Sequence, residues 1–186
     1  MADFGGSNTP VDIKDLWRTP AELFAAIDGK FNFFGDVAAS DDNSLHNRYL
    51  TSEDDALSLE WGELFPAGYV FCNPPYSDIT PWVQKTQEAV KSAIGVVMLV
   101  PADTSVGWFR IALTDVSEIR FITGGRISFV RADTCQVVNG NNMGSMLLVW
   151  HPAGRGAGIT KYIDREELIQ RGRAFLEQKA LCGETV

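Results

Sequence analysis

The alternation of hydrophobic and polar positions along the chain predicts helices that take turns with strands. Thr19 begins the first helix, because its hydroxyl can cap the helix, Pro20 suits the first helical position and Glu22 completes a capping box. Apolar residues then recur at helical spacing until Gly29 ends the helix. The same reasoning predicts further helices that start at Thr80 and at about residue 164, and one over residues 103–115.

Apolar runs between these helices predict strands. They lie at 31–39, 69–72, 94–100, 118–122, 127–130 and 145–150, with a short strand or turn near residues 49–50. The continuous apolar run at 94–100 is typical of a strand that is buried on both faces of a sheet. Helices that alternate with strands indicate an open α/β sheet, and the short turns between the late strands predict an antiparallel edge.

The length of 186 residues allows one domain with a substantial core. Residues 1–16 are polar and predict a flexible N-terminal lead-in, followed by a single domain over residues 17–186. Three cysteines and two histidines show no metal-ligand spacing, so we expect free thiols, no metal site and a cytoplasmic location. The longest apolar run is too short to cross a membrane, and the N-terminus lacks the pattern of a secretion signal.

The net charge of −8 argues against extensive contact with nucleic acid, whose affinity for proteins depends on Lys and Arg. The acidic residues crowd into positions 36–60, whereas Arg110, Arg120, Arg126 and Arg131 lie in a stretch with few acids. This distribution allows a basic strip on an acidic body.

Residues 73–76 read Asn-Pro-Pro-Tyr and directly follow the apolar run at 69–72. Proline fixes φ and donates no N–H, so the turn is stiff and rich in hydrogen-bond acceptors, with an aromatic ring beside them. Such a turn suits a planar group that bears an exocyclic amine, and adenine, cytosine and a glutamine side chain all fit. The alternative is a turn that ends a strand and carries a core aromatic residue.

Asp36 stands at the end of the predicted strand 31–39. Ligands of open α/β sheets bind beyond the carboxyl ends of the strands, so Asp36 could accept hydrogen bonds from an amino-bearing ligand. The alternative is a turn or helix-cap aspartate. The chain has neither a Gly-x-Gly-x-x-Gly motif nor a Walker loop, which disfavours pyrophosphate-containing cofactors. A cofactor without phosphate, such as S-adenosylmethionine (SAM), is favoured instead.

Together these segments resemble the phage-type DNA N6-adenine methyltransferase (Dam) family. The resemblance spans roughly residues 16–150. The matching runs are 16–24, 36–39, 49–51, 54–57 with Trp61, 71–77 with Trp82, 98–104 with Trp108, 119–122 and 125–129. The chain departs from the family pattern at Gly124-Gly125, where members often have a turn one residue tighter, and over residues 133–142.

The resemblance implies a Rossmann-like, SAM-dependent methyltransferase fold with helices on both faces of a mixed, mostly parallel sheet. It implies SAM as the cofactor and double-stranded DNA as the partner, in the host-cell cytoplasm if a phage encodes the chain. Because a methyltransferase core uses most of 186 residues, we expect no separate target-recognition domain.

The resemblance also assigns roles to residues. The catalytic residues would be Asn73, Pro74, Pro75 and Tyr76, where the Asn73 side chain and the Pro74 carbonyl accept from the target amine and Tyr76 stacks on an extruded base. The cofactor residues would be Trp17, Thr19, Pro20, Asp36, Ala38 and Asp55. The DNA-binding residues would be Arg120, Arg126 and Arg131, with Lys85 and Lys91 as outer contributors.

Within the cofactor set, Asp36 would bind the amino-acid portion of SAM, Ala38 would allow close approach, and Asp55 would face the adenine amine. The segment from Trp17 to Pro20 would close over the methionine end. Trp82 and Trp108 are expected to be core residues on helix faces, and the two histidines are expected to lie on the surface.

Two alternatives remain open from the sequence. One is another SAM enzyme, because Asn-Pro-Pro-Tyr also occurs in enzymes that methylate RNA bases or a glutamine amide in release factors. Those families generally carry a glycine-rich cofactor loop, which this chain lacks at residues 35–39. The other is a non-enzymatic acidic protein that mimics DNA or docks on a nucleic-acid enzyme.

Overall fold

The computed structural model describes residue 15 and residues 17–66, 68–131, 134–137, 143–152, 154 and 158–182. Apart from Asp15, the lead-in predicted over residues 1–16 lies outside the described residues. So does most of the divergent stretch 133–142. Within the described part of the chain, every helix is too short or too polar to traverse a bilayer.

Strands and helices alternate along the described chain, as the sequence predicts. The strands are β1 (Phe33–Asp36), β2 (Gly68–Cys72), β3 (Ile94–Pro101), β4 (Glu118–Thr123), β5 (Ser145–Trp150) and β6 (Ile159–Asp164). The helices are α1 (Ala21–Phe31), α2 (Trp61–Leu64), α3 (Thr80–Lys91), α4 (Gly107–Ala112) and α5 (Arg165–Leu181).

The strands form one six-stranded mixed sheet in the order β1-β2-β3-β5-β4-β6. β1, β2 and β3 are mutually parallel, β5 runs antiparallel to both of its neighbours, and β6 is parallel to β4. The prediction of an antiparallel edge was therefore wrong, because the antiparallel strand lies inside the sheet. All six residues of β5 are buried, as an interior position requires, whereas most of β6 is exposed at the edge.

Helices cover both faces of the sheet. Successive strand residues alternate between two apolar clusters, with Val70 and Cys72 in one and Phe71 in the other. The first cluster also contains side chains from α2, α3 and α4, and the second contains side chains from α1 and α5. The sheet is thus the middle layer of three, which leaves the ends of its strands accessible for a site.

The first helix begins and ends later than the sequence predicts. Pro20, not Thr19, is the N-cap, and no side chain caps the helix, so the predicted capping box is absent. The helix continues past Gly29 to Phe31. A methyl group at Gly29 would lie only 2.5 Å from the Phe175 ring of α5. The missing side chain at Gly29 thus serves close helix packing and does not end the helix.

Three further elements differ from the sequence predictions. Residues 127–130 form no ladder strand, and Val130 makes only isolated bridges to Arg18 and Val137. The helix predicted over 103–115 is limited to α4. β6 occupies a segment for which the sequence predicts only a glycine-rich link.

Candidate active site

The candidate site lies at the edge of the sheet where β1, β2 and β3 end. Asp36 is the last residue of β1, and Asn73 directly follows the last residue of β2. Because these strands are parallel neighbours, their carboxyl ends bring the two predicted motifs to the same edge.

Three neighbouring cavities at this edge share Asp15 and Asn73 in their walls. The largest of the three, of about 270 Å³, has Ala38 and Asp55 in its wall. A second cavity of about 30 Å³ adjoins Trp17 and Asp36. The third, of about 10 Å³, is lined by Asp15, Trp17, Asn73, Pro74, Tyr76 and Phe129. Asn73 is therefore at the junction of the three spaces.

The Asn73 amide is fixed in orientation by a neighbouring backbone group. Its Nδ2 donates a 3.4 Å hydrogen bond to the carbonyl oxygen of Trp17. Its Oδ1 is buried and has no hydrogen-bond partner among the residues that the structure describes. A buried acceptor without a donor is energetically costly, so Oδ1 suits a donor from a ligand.

Asp36 is a buried carboxyl group, only 4 % exposed. Burial raises its pKa from 3.8 to about 7, and the backbone N–H of Ala38, 3.0 Å from Oδ1, only partly opposes this rise. The backbone N–H of Leu50 donates to the Asp36 carbonyl at 2.8 Å, which holds the residue in place. Asp36 thus offers an acceptor that a cationic ligand would help to ionise.

Aromatic rings surround the third cavity. The Tyr76 and Phe129 rings meet edge to face, with centroids 6.2 Å apart, and the Trp17 ring stacks on Phe129 at 6.0 Å. Burial raises the pKa of the Tyr76 hydroxyl far above its ordinary value, so this group stays neutral. The hydroxyl donates a long, 3.5 Å hydrogen bond to the Leu99 carbonyl. The ring, more than the hydroxyl, therefore shapes the cavity.

The segment at 51–57 forms the outer wall of the largest cavity. The Asp54 carboxylate accepts from the Thr51 backbone N–H at 2.7 Å and from its hydroxyl at 2.9 Å, and these bonds lower the pKa of Asp54. Asp55 adopts a left-handed backbone conformation with φ of 50° and is exposed at the cavity wall. The neighbouring carboxylates thus differ, since Asp54 stabilises the turn and Asp55 faces the cavity.

Most of the residues that the sequence singles out come together at these cavities. The cavity walls contain Trp17, Thr19, Asp36, Ala38, Asp55, Asn73, Pro74, Pro75 and Tyr76. Pro20 is not part of these walls. It lines a separate groove together with Ile127 and Arg165.

Sequence reasoning missed several wall residues. Asp15 accepts the backbone N–H of Ser77 at 3.0 Å and lines all three cavities, but it stands in a segment without a pattern. Trp82 packs against the first apolar cluster, as expected of a core residue on a helix face, but it also lines the largest of the three cavities from the first turn of α3. Phe129 falls in a segment that matches the family pattern, which is the signal that could have identified it.

Two of the cations assigned to DNA are buried instead. Arg120 is 3 % exposed, forms an ion pair with Glu118, and lies 4.8 Å from the centre of the Phe31 ring. Lys85 is 6 % exposed and pairs with Glu60 and Glu88. Because neither side chain reaches the surface, their assignment to phosphate contact was wrong.

The remaining assigned cations differ in position. Arg126 is exposed and follows the carboxyl end of β4, at the same edge of the sheet as the cavities. Arg131 is half-buried near that edge, where its backbone N–H donates to Gln136 at 2.9 Å. Lys91 ends α3 next to the start of β3, at the opposite edge. Arg126 is therefore the assigned cation best placed to meet a ligand of the site.

Two other expectations bear on the site's chemistry. No group of three or more His, Cys, Asp or Glu that could hold a metal occurs in the part of the chain the structure describes. His151 was expected on the surface but is half-buried, with its ring 2.7 Å from the Tyr69 hydroxyl and 3.1 Å from Glu118.

Comparisons with known proteins connect this geometry to a family. A DNA N-6-adenine-methyltransferase of Escherichia phage T1 is 32 % identical over 168 residues, which cover 82 % of this chain and 69 % of that protein. The DNA N-6-adenine-methyltransferase of Haemophilus phage HP1 (strain HP1c1) is 32 % identical over 170 residues, which cover 89 % of this chain and 96 % of that protein.

A putative methyltransferase of Escherichia coli (strain K12), YfdM, is 38 % identical over 74 residues, which cover 38 % of this chain and 77 % of that protein. The model of the family described as DNA N-6-adenine-methyltransferase (Dam) matches residues 6–175. The chain therefore belongs to the DNA N-6-adenine-methyltransferase (Dam) family, and its enzyme class is adenine-specific DNA methyltransferase.

Proposed function

We propose that this protein transfers a methyl group from SAM to the N6 amine of an adenine that leaves the DNA duplex. The observation that carries the proposal is the buried Oδ1 of Asn73, which has no hydrogen-bond partner among the described residues and belongs to a residue that lines all three cavities. An exocyclic amine supplies the donor that this oxygen lacks.

The Asn-Pro-Pro-Tyr turn would hold the amine through two acceptors, the Asn73 side chain and the Pro74 carbonyl. Accepting both amine hydrogens draws the nitrogen lone pair out of conjugation with the ring and directs it towards the methyl donor. This arrangement needs neither a metal nor a strong base. Pro74 is buried and lines the same cavity as Asn73, so the two residues share one space.

The residues of the two larger cavities suit SAM. When bound, SAM supplies an electrophilic methyl group on a sulfonium. Asp36 would pair with the ammonium group of the methionine end, where a buried carboxylate needs a cation, and Trp17 and Thr19 line the same cavity. Ala38, Asp55 and Trp82 line the larger, more apolar cavity and would hold the adenosine end.

Tyr76 would stack on the extruded base, because its ring, and not its hydroxyl, shapes the third cavity. That cavity, at about 10 Å³, is smaller than a base. Entry of adenine therefore requires the neighbouring Trp17 and Phe129 rings to move. Double-stranded DNA would lie across this edge of the sheet, with Arg126 and Arg131 as phosphate contacts.

Transfer of label from methyl-labelled SAM tests the proposal. The purified protein would be incubated in parallel with duplex DNA, total RNA and a ribosomal extract. We expect label in DNA alone. After digestion of the DNA to nucleosides, the label should be in N6-methyl-2′-deoxyadenosine. Label in RNA or protein, or in another position of the DNA, would contradict the proposal.

A further inference from the structure

A second residue in the wall of the third cavity has a buried polar atom that lacks a hydrogen-bond partner among the described residues. The indole Nε1 of Trp17 has no hydrogen-bond partner among the described residues, as is also true of Asn73 Oδ1. Both residues line the cavity beside Tyr76. An indole N–H can only donate, and Oδ1 can only accept, so two residues of the same cavity wall carry one unpaired donor and one unpaired acceptor.

Trp17 is held in place by one contact of its ring and one of its backbone. Its carbonyl accepts from Asn73 Nδ2 at 3.4 Å, and its ring stacks on Phe129. The next residue, Arg18, exchanges two backbone hydrogen bonds with Val130, of 2.8 and 3.1 Å. These contacts hold the backbone of Trp17 beside the Asn73 side chain, so the indole stays in the wall of the cavity when its ring shifts to admit a base.

A donor beside an acceptor complements the amino edge of adenine. The N6 amine donates, and the ring nitrogens that flank it, N1 and N7, both accept. Asn73 Oδ1 would accept a hydrogen bond from the N6 amine. A ring nitrogen beside the amine could then accept one from the Trp17 indole N–H. A guanine would present its O6 acceptor to Asn73 Oδ1 and would be rejected.

We propose that the Trp17 indole N–H donates a hydrogen bond to a ring nitrogen beside the N6 amine of the extruded adenine, which makes Trp17 a specificity-determining residue. This inference rests on the proposed function. It differs from the role that the family resemblance gives Trp17, which is to close over the methionine end of SAM. That role remains the competing explanation, because Trp17 also lines the cavity beside Asp36.

The experiment combines base analogues with matched variants. Duplexes carry adenine, 1-deazaadenine or 7-deazaadenine at one methylated position, and single-turnover transfer is measured for the wild type, Trp17→Phe and Trp108→Phe. Phenylalanine keeps an aromatic ring against Phe129. It removes the donor together with part of the indole's volume. Trp108 is a partly buried tryptophan that packs against the other apolar cluster, so it controls for the loss of an indole.

We expect the wild type to be about tenfold slower on one of the two analogues, since one hydrogen bond is lost. Trp17→Phe should methylate adenine about tenfold more slowly than the wild type does. It should show no further loss of rate on the analogue that slows the wild type. Trp108→Phe should behave as the wild type. The analogue that causes the loss identifies N1 or N7 as the acceptor.

Several outcomes would overturn the inference. Equal single-turnover rates of the wild type on adenine and on both analogues would overturn it, even if Trp17→Phe failed to fold. An analogue effect that persists undiminished in Trp17→Phe, together with weaker SAM binding by calorimetry, would assign the N–H to the cofactor. If the wild type methylates no adenine, the proposed function fails and the inference with it, whereas methylation without an analogue effect removes the inference alone.

Discussion

Asp36 shows how a single residue can be unfavourable for folding and favourable for binding. Its carboxyl group is buried, and no ion pair to it occurs among the described residues. Burial without a cation explains why its pKa rises to about 7. A bound ammonium group would lower the pKa again. The unfavourable burial of the Asp36 carboxylate in the free protein would thus favour the binding of a cationic ligand.

This cost predicts the effect of Asp36→Asn on stability. The folded protein binds a proton at Asp36 up to about pH 7, whereas the unfolded chain releases it near pH 3.8, so stability falls as the pH rises through this window. A difference of about three pKa units corresponds to a loss of about 4 kcal/mol in the free energy of unfolding above pH 7. Without SAM, Asp36→Asn should therefore melt at a higher temperature than the wild type at pH 8, and the difference should shrink towards pH 5.

Thermal melts across that pH range check the prediction. A constant difference in melting temperature at every pH would show that Asp36 does not titrate in this window. The same variant should bind SAM about ten- to hundredfold more weakly, because it loses a charge-assisted hydrogen bond.

Tyr76 provides a second prediction at the level of the residue. Tyr76 lines the third cavity, and among the described residues its hydroxyl donates one long hydrogen bond of 3.5 Å. Tyr76→Phe should therefore keep most of the methyl transfer, whereas Tyr76→Ala should lose about ten- to hundredfold through the missing stacking. Steady-state transfer rates decide the matter, and equal damage by both substitutions would point to a role for the hydroxyl.

The sequence identifies residues of the site better than it identifies their surroundings. The motifs at 36–39 and 73–76 can be found because strand ends and proline-rich turns leave a local pattern. The burial of Arg120 and Lys85 leaves none, since it results from partners such as Glu118 and Glu60 and from packing between distant segments. A count of cations along the chain therefore overestimates the surface available to DNA.

At the scale of elements, the contact between α1 and α5 depends on glycine. A methyl group added at Gly172 of α5 would overlap the backbone carbonyl of Glu22 in α1, and neither backbone can yield without moving a helix. Gly172→Ala should therefore destabilise the fold by about 2–3 kcal/mol, as overpacking does. This loss corresponds to a melting temperature lower by about 5–10 °C.

Gly107→Ala is the matched control, because an added methyl group there meets no atom within 4 Å. It should leave the melting temperature nearly unchanged. If both substitutions have the same effect, the close approach of α1 and α5 does not contribute to stability.

The elements that the sequence predicts well have strong local signals. Thr80-Pro81 correctly begins α3, and the apolar run at 94–100 corresponds to β3. β6 was missed because its residues are mostly exposed and paired on one side only, so they show no alternation. The interior position of β5 could not be read either, because strand order depends on pairing between distant segments.

The whole molecule carries a net charge of −8, and this constrains how it can bind DNA. With Arg120 and Lys85 buried, few of the assigned cations remain for phosphates. The logarithm of DNA affinity should therefore fall with the logarithm of salt concentration by only a few units, at about 0.9 per phosphate contact. Weak affinity for random duplex should accompany this shallow slope.

Arg126→Ala should weaken binding to all sequences and flatten the slope by about one unit. Lys91→Ala, an exposed cation at the opposite edge of the sheet, should leave the slope unchanged. Fluorescence anisotropy across a salt series measures both. A steep wild-type slope would indicate many more phosphate contacts than one chain offers, and an unchanged slope in Arg126→Ala would remove this residue from the DNA surface.

The central claim is that Asn73 accepts the target amine at the junction of cofactor and base, and one comparison tests it most directly. Methyl transfer to DNA and SAM affinity would be measured together for the wild type, Asn73→Ala and Asn47→Ala, an exposed asparagine outside the three cavities. Asn73→Ala should reduce the rate of transfer by at least about a hundredfold while SAM affinity stays nearly intact, because the lost contact acts on the reacting group. Asn47→Ala should match the wild type. Transfer by Asn73→Ala at the wild-type rate would contradict the account.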